Sequence, residues 1–157
     1  MPLTDVARLE ESIEIAAPAE TVWELVRDPR HMARWSPQTQ KSILRGDGEV
    51  GPGSRFLNIN RKGLLIWPTR STVVRFEPGR EIAWRVKDNT AVWSLRLAST
   101  ESGGTRLLQA RETPEGISDI SARVTDVFMG GQDRFSAALA QGMRQTLAAI
   151  KAEAEQR

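Results

Sequence analysis

The chain has 157 residues, of which 27% are charged and 39% are hydrophobic, and its formal net charge is +2. This length and composition predict one soluble globular domain over residues 1–157 rather than a disordered chain. Lysine and arginine are dispersed along the sequence, which argues against nucleic-acid binding. There is no cysteine and only one histidine, His31, which excludes disulfides, thiolate chemistry and multi-histidine metal sites. Carboxylates alone could still bind a hard cation, but no run of Asp and Glu has the spacing of such a loop, so we expect no bound metal and no cofactor.

The N-terminus and the apolar runs show no targeting signal. The longest apolar runs, such as residues 63–67, are far shorter than the roughly 18 to 20 residues that a membrane-spanning helix needs. The N-terminus has neither the basic nor the apolar region of a secretory signal. These features predict a cytoplasmic protein without stable membrane insertion, in which residues 1–8 are frayed.

The first elements are predicted to be a strand followed by two short helices. Residues 9–16 alternate between polar and apolar side chains, which is typical of a half-buried strand. Pro18 then precedes apolar residues at helical spacing, which predicts a short amphipathic helix. The Asp28-Pro29 step ends this helix, because the residue before a proline is disfavoured in the α region. Residues 30–35 add one or two further helical turns.

From Thr39 onward, strand-like runs alternate with turn residues. Glycine, proline, asparagine or aspartate separates each run from the next, and these residues favour turns. Short connections of this kind join antiparallel neighbours. Together with the N-terminal strand, the runs predict about seven antiparallel strands, the later ones being residues 40–45, 55–61, 65–76, 81–86, 91–98 and 105–113.

One hairpin can be placed in register from the sequence. If Asp88-Asn89 forms a two-residue turn, Trp84 lies directly opposite Trp93, and the same register pairs Ile82 with Leu95. The inner face of this hairpin is then apolar and consists of Ile82, Trp84, Val86, Ala91, Trp93, Leu95 and Leu97. Its solvent-exposed face consists of Arg85, Lys87, Ser94 and Arg96.

The direction of the side chains in the last strand depends on the loop around residues 100–104. An odd-length loop directs one set of residues inward, namely Leu107, Gln109 and Arg111. An even-length loop directs the other set inward, namely Leu108, Ala110 and Glu112. We favour the first arrangement.

The last part of the chain, residues 117–155, is predicted to be helical because apolar residues recur every three or four positions. Gly130-Gly131 interrupts this pattern. Two interior glycines cost a helix about 2 kcal/mol relative to alanine, so we expect a break or kink there. The second piece, about 24 residues, would be about 36 Å long. A helix of this length beside short strands predicts an α+β fold in which a sheet curls around the helix.

Two familiar motifs are better explained as local structure than as functional sites. Residues 46–51 match G-x-G-x-x-G, but Pro52-Gly53 leads into a strand rather than into a phosphate-binding helix, which predicts a plain turn. His31 and Ser36 could be a base and a nucleophile, but the sequence has no G-x-S-x-G elbow. We expect His31 to be a surface or pocket-rim residue.

Tryptophans and inward polar residues are the candidates for ligand contacts. A sheet curled over one helix leaves space between them, and large aromatic side chains at its mouth suit a flat apolar ligand. Trp23 is expected in the core, whereas cavity lining and core packing are both open for the other tryptophans. Buried amides and a guanidinium need hydrogen-bond partners, so they satisfy one another or a ligand does. The predicted ligand contacts are Trp35, Phe56, Asn58, Asn60, Trp67, Trp84, Trp93, Gln109, Arg111, Phe128, Phe135 and Met143.

The order of the elements resembles that of the START-like superfamily, and more narrowly the polyketide cyclase/dehydrase group of small actinobacterial proteins, also called SRPBCC proteins. The resemblance is carried by APAETVWELV at 17–26, residues 28–37, VGPGSRF at 50–56, EPGR at 77–80, GGTR at 103–106 and the long terminal helix. It covers about residues 9 to 153. It implies a helix-grip fold, with a seven-stranded antiparallel sheet, two short helices after the first strand and a long C-terminal helix that closes an apolar cavity.

Three functions follow from this resemblance. The first is binding of a hydrophobic small molecule (a lipid, polyketide, quinone or aromatic metabolite) in the cavity, by a monomer or homodimer. The second is a cyclase/dehydratase enzyme in which Arg111 or the amides polarise a carbonyl and a base such as Glu112 moves a proton. The third is a co-chaperone-like interaction module, which exposed apolar surface without a cavity would favour.

No catalytic residue is implied by the resemblance, since the matching segments are turns and helix starts. An enzyme of this kind needs an inward acid or base, whereas a carrier needs only shape. The sequence offers no unambiguous inward carboxylate, so we favour binding.

Overall fold

The computed structural model describes residues 8–46, 48–113 and 132–157. The strands are β1 (Leu9–Ile15), β2 (Thr39–Arg45), β3 (Arg55–Lys62), β4 (Leu65–Glu77), β5 (Glu81–Val86), β6 (Val92–Ser99) and β7 (Thr105–Glu112). The helices are α1 (Ala19–Val26), a 3-10 turn (Pro29–His31), α2 (Met32–Trp35) and α3 (Gln132–Glu155). The strands form one antiparallel sheet in the order β1-β7-β6-β5-β4-β3-β2. The predicted α+β helix-grip architecture is confirmed.

The long helix α3 packs against β1, β7, α1 and α2. It begins at Gln132, directly after Gly130-Gly131, and its 24 residues match the predicted second helical piece. The predictions for residues 1–7 and 114–131, which include Phe128 and the break at Gly130-Gly131, lie outside the described residues. None of the described helices is long and apolar enough to cross a membrane.

The helices after β1 begin at residues that cap them. Pro18 has an extended backbone, and its carbonyl accepts hydrogen bonds from the amides of Thr21 and Val22 at 3.0 and 3.2 Å. Asp28 caps the 3-10 turn, where its carboxylate accepts a hydrogen bond from the Arg30 amide at 3.0 Å. The buried face of α1 consists of Val22, Trp23, Leu25 and Val26. The predicted core position of Trp23 is thereby confirmed.

The β5–β6 hairpin has the predicted register. Trp84 lies opposite Trp93, and Ile82 lies opposite Leu95. The residues predicted to face inward are buried, except Trp93, which is half-buried because it borders a cavity.

The prediction that Ser94 is exposed on the outer face of this hairpin is wrong. Ser94 is only 5% exposed, although the charged residues on the same face are exposed. It pairs with Ala83 on one side and Ala110 on the other, and both are fully buried. Burial on this face therefore depends on strand partners that one strand's sequence does not identify.

The β6–β7 hairpin has the odd-length loop that we favoured. Ser99 pairs with Thr105, which leaves residues 100–104 as the loop and places Leu107, Gln109 and Arg111 on the inner face. At Gly104 an added Cβ would lie 2.5 Å from the carbonyl oxygen of Ile15, so β1 approaches this loop too closely for any side chain there.

The segment 46–51 joins β2 to β3, and a strand follows it, as predicted for a turn. Gly46 and Gly48 have φ values of 91° and 106°, which only glycine adopts readily.

The hydrophobic core fills one end of the space between the sheet and α3. There, Ile15, Ile82, Leu95 and Leu107 from the strands pack with α1 and with the C-terminal half of α3, which contributes Leu147, Ile150 and Ala154. At the other end, the sheet and the N-terminal half of α3 enclose a cavity.

Candidate ligand-binding cavity

A cavity of about 970 Å³ lies between the inner faces of β3 to β7 and the N-terminal half of α3. The β3–β4 turn and residues 36–40, which follow α2, form part of its lining. Strand side chains alternate between the two faces of the sheet, so lining residues two positions apart, such as Trp84 and Val86 on β5, reach the cavity from one face.

Most of the predicted ligand contacts line this cavity: Asn58, Asn60, Trp67, Trp84, Trp93, Gln109, Arg111, Phe135 and Met143. They come from five neighbouring strands and from α3, so segments that are distant in sequence meet at one place. Their contact with a ligand stays a prediction.

Two of the predicted contacts, Phe56 and Trp35, belong to the core instead. Phe56 shares the inner phase of Asn58 and Asn60, but it is 0% exposed and lies where the core is packed. Trp35 is 5% exposed, and its indole N–H donates a hydrogen bond to Oε1 of Glu153 at 3.1 Å. It therefore joins α2 to α3. Phe128 lies outside the described residues.

The contact between α2 and the end of α3 is strengthened by charge. Arg34 Nη2 donates to Oε2 of Glu153 at 2.7 Å, and its guanidinium lies 5.3 Å from the centroid of the Trp35 ring. Partial burial is the largest influence on the pKa of Glu153 and raises it, but the hydrogen bond from Trp35 and the interactions with Arg34 outweigh burial and lower that pKa.

His31 and Ser36 are not arranged as a base and a nucleophile. Nδ1 of His31 donates a hydrogen bond to the carbonyl oxygen of Leu25 at 2.7 Å. The hydroxyl oxygen of Ser36 accepts hydrogen bonds from the amides of Gln38 and Thr39 at 3.2 and 3.3 Å. Both side chains stabilise the local backbone, and Ser36 also lines the cavity.

The asparagines of β3 obtain hydrogen bonds from the neighbouring strands. Asn58 accepts one from the hydroxyl of Ser42 at 2.7 Å and donates one to the hydroxyl of Ser71 at 3.1 Å. The side-chain amide of Asn60 donates to the hydroxyl of Thr69 at 3.0 Å. These two amides therefore have protein partners without any ligand.

Some lining residues were not among the predicted contacts, although the sequence holds a signal for them. Thr69 and Ser71 follow Trp67 at steps of two on β4 and so share its face. On α3, Leu139 and Thr146 flank Met143 at steps of four and three. These residues are identified by counting from one predicted contact in steps of two along the strand, or in steps of three or four along the helix.

Gln109 and Arg111, two residues apart on β7, differ from the other polar lining residues. Gln109 is 2% exposed, and in the part of the chain that the structure describes its Oε1 has no hydrogen-bond partner. Arg111 is 7% exposed, and its guanidinium carbon lies 5.7 Å from the ring centroids of both Trp93 and Phe135. Burial lowers the pKa of Arg111 to about 10, so the group is still protonated near neutral pH. Within the described ranges, no carboxylate pairs with it.

Among the described residues, carboxylates are nearly absent from the lining of the cavity. Asp88 is the one acid in the described lining, and it accepts hydrogen bonds from the Arg70 amide at 2.7 Å and the Arg70 guanidinium at 3.3 Å. The suggestion that Glu112 is a catalytic base in the cavity is wrong. Glu112 does not line the cavity, and its carboxylate forms an ion pair with Arg8 at 3.2 Å. In the described part of the chain, no three His, Cys, Asp or Glu side chains are grouped as a metal site.

Known structures share this fold. The Zhui aromatase/cyclase from Streptomyces sp. R1128 has a TM-score of 0.71 at 20% identity, with 96% of this chain and 94% of that chain covered. The di-domain aromatase/cyclase StfQ from the steffimycin biosynthetic pathway has a TM-score of 0.71 at 16% identity, with 96% and 51% covered. The Polyketide_cyc-like protein Cgl2372 from Corynebacterium glutamicum has a TM-score of 0.60 at 30% identity, with 92% and 88% covered.

A search of curated proteins gave no match. The family described as polyketide cyclase/dehydrase and lipid transport matches residues 6–155, which is nearly the whole chain. The resemblance noted in the sequence is thereby confirmed, and the chain belongs to the polyketide cyclase/dehydrase and lipid transport family.

Proposed function

We propose that this protein binds a hydrophobic small molecule in the cavity between the sheet and α3. The observation that carries the proposal is a cavity of about 970 Å³ lined by Trp67, Trp84 and Trp93. Small-molecule sites are usually cavities of about 300 to 1,000 Å³ with mostly apolar walls and a few polar groups.

The driving force for binding is the removal of apolar surface from water. Each Å² of buried apolar ligand surface contributes roughly 25 cal/mol, offset by the cost of ordering the ligand. Trp67, Trp84 and Trp93 provide large, rigid walls at little cost in conformational entropy. The asparagines of β3 are already hydrogen-bonded, so the wall that they form does not demand a polar ligand.

A second function, cyclisation or dehydration of a polyketide, is favoured by the aromatase/cyclase activity in the names of two structures with the same fold. Arg111 could polarise a carbonyl group in the cavity. However, the described lining holds one carboxylate, Asp88, and Arg70 already occupies it. Binding without turnover therefore fits this cavity better than catalysis does. A co-chaperone-like module would need apolar surface without a cavity, and a cavity is present.

Native mass spectrometry of freshly purified protein, followed by solvent extraction, tests the proposal by identifying any bound apolar molecule. A second measurement is titration with the neutral apolar dye N-phenyl-1-naphthylamine, followed by the fluorescence of the dye and of tryptophan. We expect saturable binding at one site per chain. A protein that carries no molecule and binds neither this dye nor other apolar ligands would contradict the proposal.

Substitutions on β6 locate the site. Trp93→Ala should weaken dye binding by about tenfold, because roughly 50 Å² of lost apolar contact corresponds to about 1.3 kcal/mol. Val92→Ala is the matched control, since Val92 is the preceding residue on β6 and pairs with Arg85 and Glu112 on the opposite face. Equal losses in the two variants would place the dye elsewhere.

A further inference from the structure

Arg111 is a buried cation at the inner wall of the cavity, without an ion-pair partner in the described part of the chain. The other buried charged residue among those described, Glu81, is 5% exposed and has two partners, Arg75 at 3.2 Å and Arg96 at 3.3 Å. A charge taken out of water is stabilised by an opposite charge or by hydrogen bonds. The described residues supply opposite charges for Glu81 but not for Arg111.

The aromatic rings beside Arg111 hold the guanidinium but do not neutralise it. Trp93 and Phe135 lie at equal distances of 5.7 Å from its central carbon, close enough for cation–π attraction. The rings carry no net charge, so neither they nor any carboxylate of the described residues neutralises the guanidinium. A planar guanidinium matches the two oxygens of a carboxylate.

Gln109 shows that this end of the cavity is polar beyond one residue. It lies two positions from Arg111 on the same face of β7, and its buried Oε1 has no hydrogen-bond partner among the described residues. The asparagines on β3, by contrast, are hydrogen-bonded to other side chains. Among the described residues, the one buried side-chain polar atom without a hydrogen-bond partner therefore lies at the β7 wall.

We propose that the ligand is an amphipathic carboxylic acid, whose carboxylate pairs with Arg111 while its apolar body lies along the tryptophans of β4, β5 and β6. This inference rests on the proposed function and names the class of ligand that the same cavity takes. It differs from the enzymatic alternative, because a neutral carbonyl could accept a hydrogen bond from Arg111 but would leave its charge unneutralised.

The test compares acids with their methyl esters as probes: naphthalene-2-carboxylate, 1-pyrenebutyrate and hexadecanoate, each measured by calorimetry or fluorescence at neutral pH. For at least one pair, we expect the acid to bind about tenfold more tightly than the ester or better, because a hydrogen bond to a charged group contributes that much. Equal affinities throughout would overturn the inference and leave the proposed function intact. If neither form of any probe binds, the proposed function fails, and the inference fails with it.

Variants at position 111 provide the second arm of the test. Arg111→Leu should remove the preference for the acid and retain binding of the ester, while Arg111→Lys should retain part of the preference. Thermal unfolding of the ligand-free variants is the structural control. A lower melting temperature for Arg111→Leu would show that the guanidinium is paired within the chain and would overturn the inference.

A separate feature, the tip of the β3–β4 hairpin, exposes apolar side chains beside the cavity. Leu64 is 97% exposed and Ile66 is 60% exposed. Lys62 pairs with Leu65, so Gly63 and Leu64 form a two-residue turn, which Gly63 permits with a φ of 61°. The turn is continuous with the cavity, since Lys62, Gly63 and Leu65 line it.

The charges around this tip are positive. Arg61 and Lys62 precede the turn, and no acidic residue occurs between them and Arg70. Nε of Arg61 donates to the carbonyl of Gly63 at 2.8 Å rather than to a carboxylate. Exposed apolar residues next to basic ones are typical of segments that rest in the interface of an anionic bilayer, where the apolar residues enter the acyl boundary and the cations meet the headgroups.

We infer that the β3–β4 tip docks on an anionic lipid surface and directs the mouth of the cavity towards it. Flotation with phosphatidylcholine vesicles, with and without phosphatidylglycerol, tests this independently of any cavity ligand. We expect the protein to float only with the anionic vesicles, and the double variant Leu64→Ser/Ile66→Ser to lose this binding. The control, Val74→Ser, should float like the wild type, because Val74 is an exposed residue of β4 remote from the tip.

Three results would overturn the docking inference. They are the absence of flotation with anionic vesicles, an equal loss of binding in Val74→Ser, and self-association that the Leu64→Ser/Ile66→Ser variant abolishes in a protein that does not bind vesicles. The last result would assign the tip to a contact between two copies of the chain.

Discussion

The two halves of α3 face the same sheet but have different surroundings. The C-terminal half inserts Leu147, Ile150 and Ala154 into a packed core, where all three are at most 1% exposed. The N-terminal half places Phe135, Leu139 and Met143 over the cavity. One helix therefore stabilises the fold with one half and borders a binding space with the other.

The strands show the same division along their inner faces. On β5, Ile82 lies in the core and Trp84 borders the cavity; on β7, Leu107 lies in the core and Arg111 borders the cavity. The change from aliphatic to aromatic and polar side chains occurs within two to four residues. The inward-facing residues of one strand can thus include both packing residues and cavity-lining residues. The position at which the side chains change marks the boundary between core and cavity.

Truncation of one residue in each half of α3 should give the largest difference. We expect Leu147→Ala to lower the free energy of unfolding by about 2 to 5 kcal/mol, because it leaves a void in a packed core. Leu139→Ala should cost less than about 1 kcal/mol, because Leu139 already borders empty space. Urea unfolding followed by circular dichroism measures both values.

Equal losses in these two variants would contradict the division of α3. They would mean that the N-terminal half is packed in solution as closely as the C-terminal half.

The two buried charged residues in the described part of the chain, Glu81 and Arg111, give the next largest contrast. Glu81→Gln should destabilise the protein by about 1 to 2 kcal/mol, since it removes the charge that two arginines share. The loss is moderate because Arg75 and Arg96 are largely exposed and return to water. Arg111→Met in the ligand-free protein should instead raise the free energy of unfolding by about 1 kcal/mol, because a buried cation that has no carboxylate partner among the described residues is replaced by an apolar side chain of similar length.

Chemical denaturation of both variants in the same buffer shows whether Glu81→Gln lowers the free energy of unfolding and Arg111→Met raises it. If Arg111→Met is less stable than the wild type, the guanidinium of Arg111 stabilises the fold, and its charge does not destabilise the wall of the cavity.

The sequence predicted what depends on periodicity and turn length, and missed what depends on partners across the sheet. The register of Trp84 and Trp93 followed from one turn, and the inward direction of Arg111 followed from an odd-length loop. The burial of Ser94 and the pairing of Glu112 with Arg8 depend on which strands are neighbours. The role of Trp35 likewise required knowing where the end of α3 lies, because Glu153 is distant in sequence.

A substitution near the border between the two halves of α3 should have a smaller effect. Gly142 lies within the helix, and an added Cβ would meet only Cγ of Pro37, at an ordinary distance of 3.6 Å. Gly142→Ala should therefore stabilise the protein by about 0.5 to 1 kcal/mol through reduced freedom of the unfolded chain. Gly104→Ala is the control and should be destabilising, since its Cβ would overlap the Ile15 carbonyl. Thermal unfolding of both variants distinguishes a general effect of alanine from an effect of position.

The smallest predicted effect is the pH dependence that Glu153 gives to the packed end of α3. Its pKa in the folded protein lies below the ordinary value of 4.5, because the hydrogen bond from Trp35 and the interactions with Arg34 outweigh the opposing effect of burial. A lowered folded pKa means that the contribution to stability is complete above 4.5 and is lost as the pH falls through the folded pKa. Since the carboxylate is partly exposed, we expect a contribution on the order of 0.5 kcal/mol.

Urea unfolding of the wild type, Glu153→Gln and Trp35→Phe at about pH 6 and about pH 3.5 measures this contribution. Glu153→Gln should lose less stability than the wild type on acidification, and Trp35→Phe should fall between them, because it removes one of the groups that lower the pKa. Glu101→Gln, in the exposed β6–β7 loop, is the control and should follow the wild type. If Glu153→Gln shows the full acid dependence of the wild type, the contact between α2 and the end of α3 does not depend on this charge, and packing of Trp35 alone holds it.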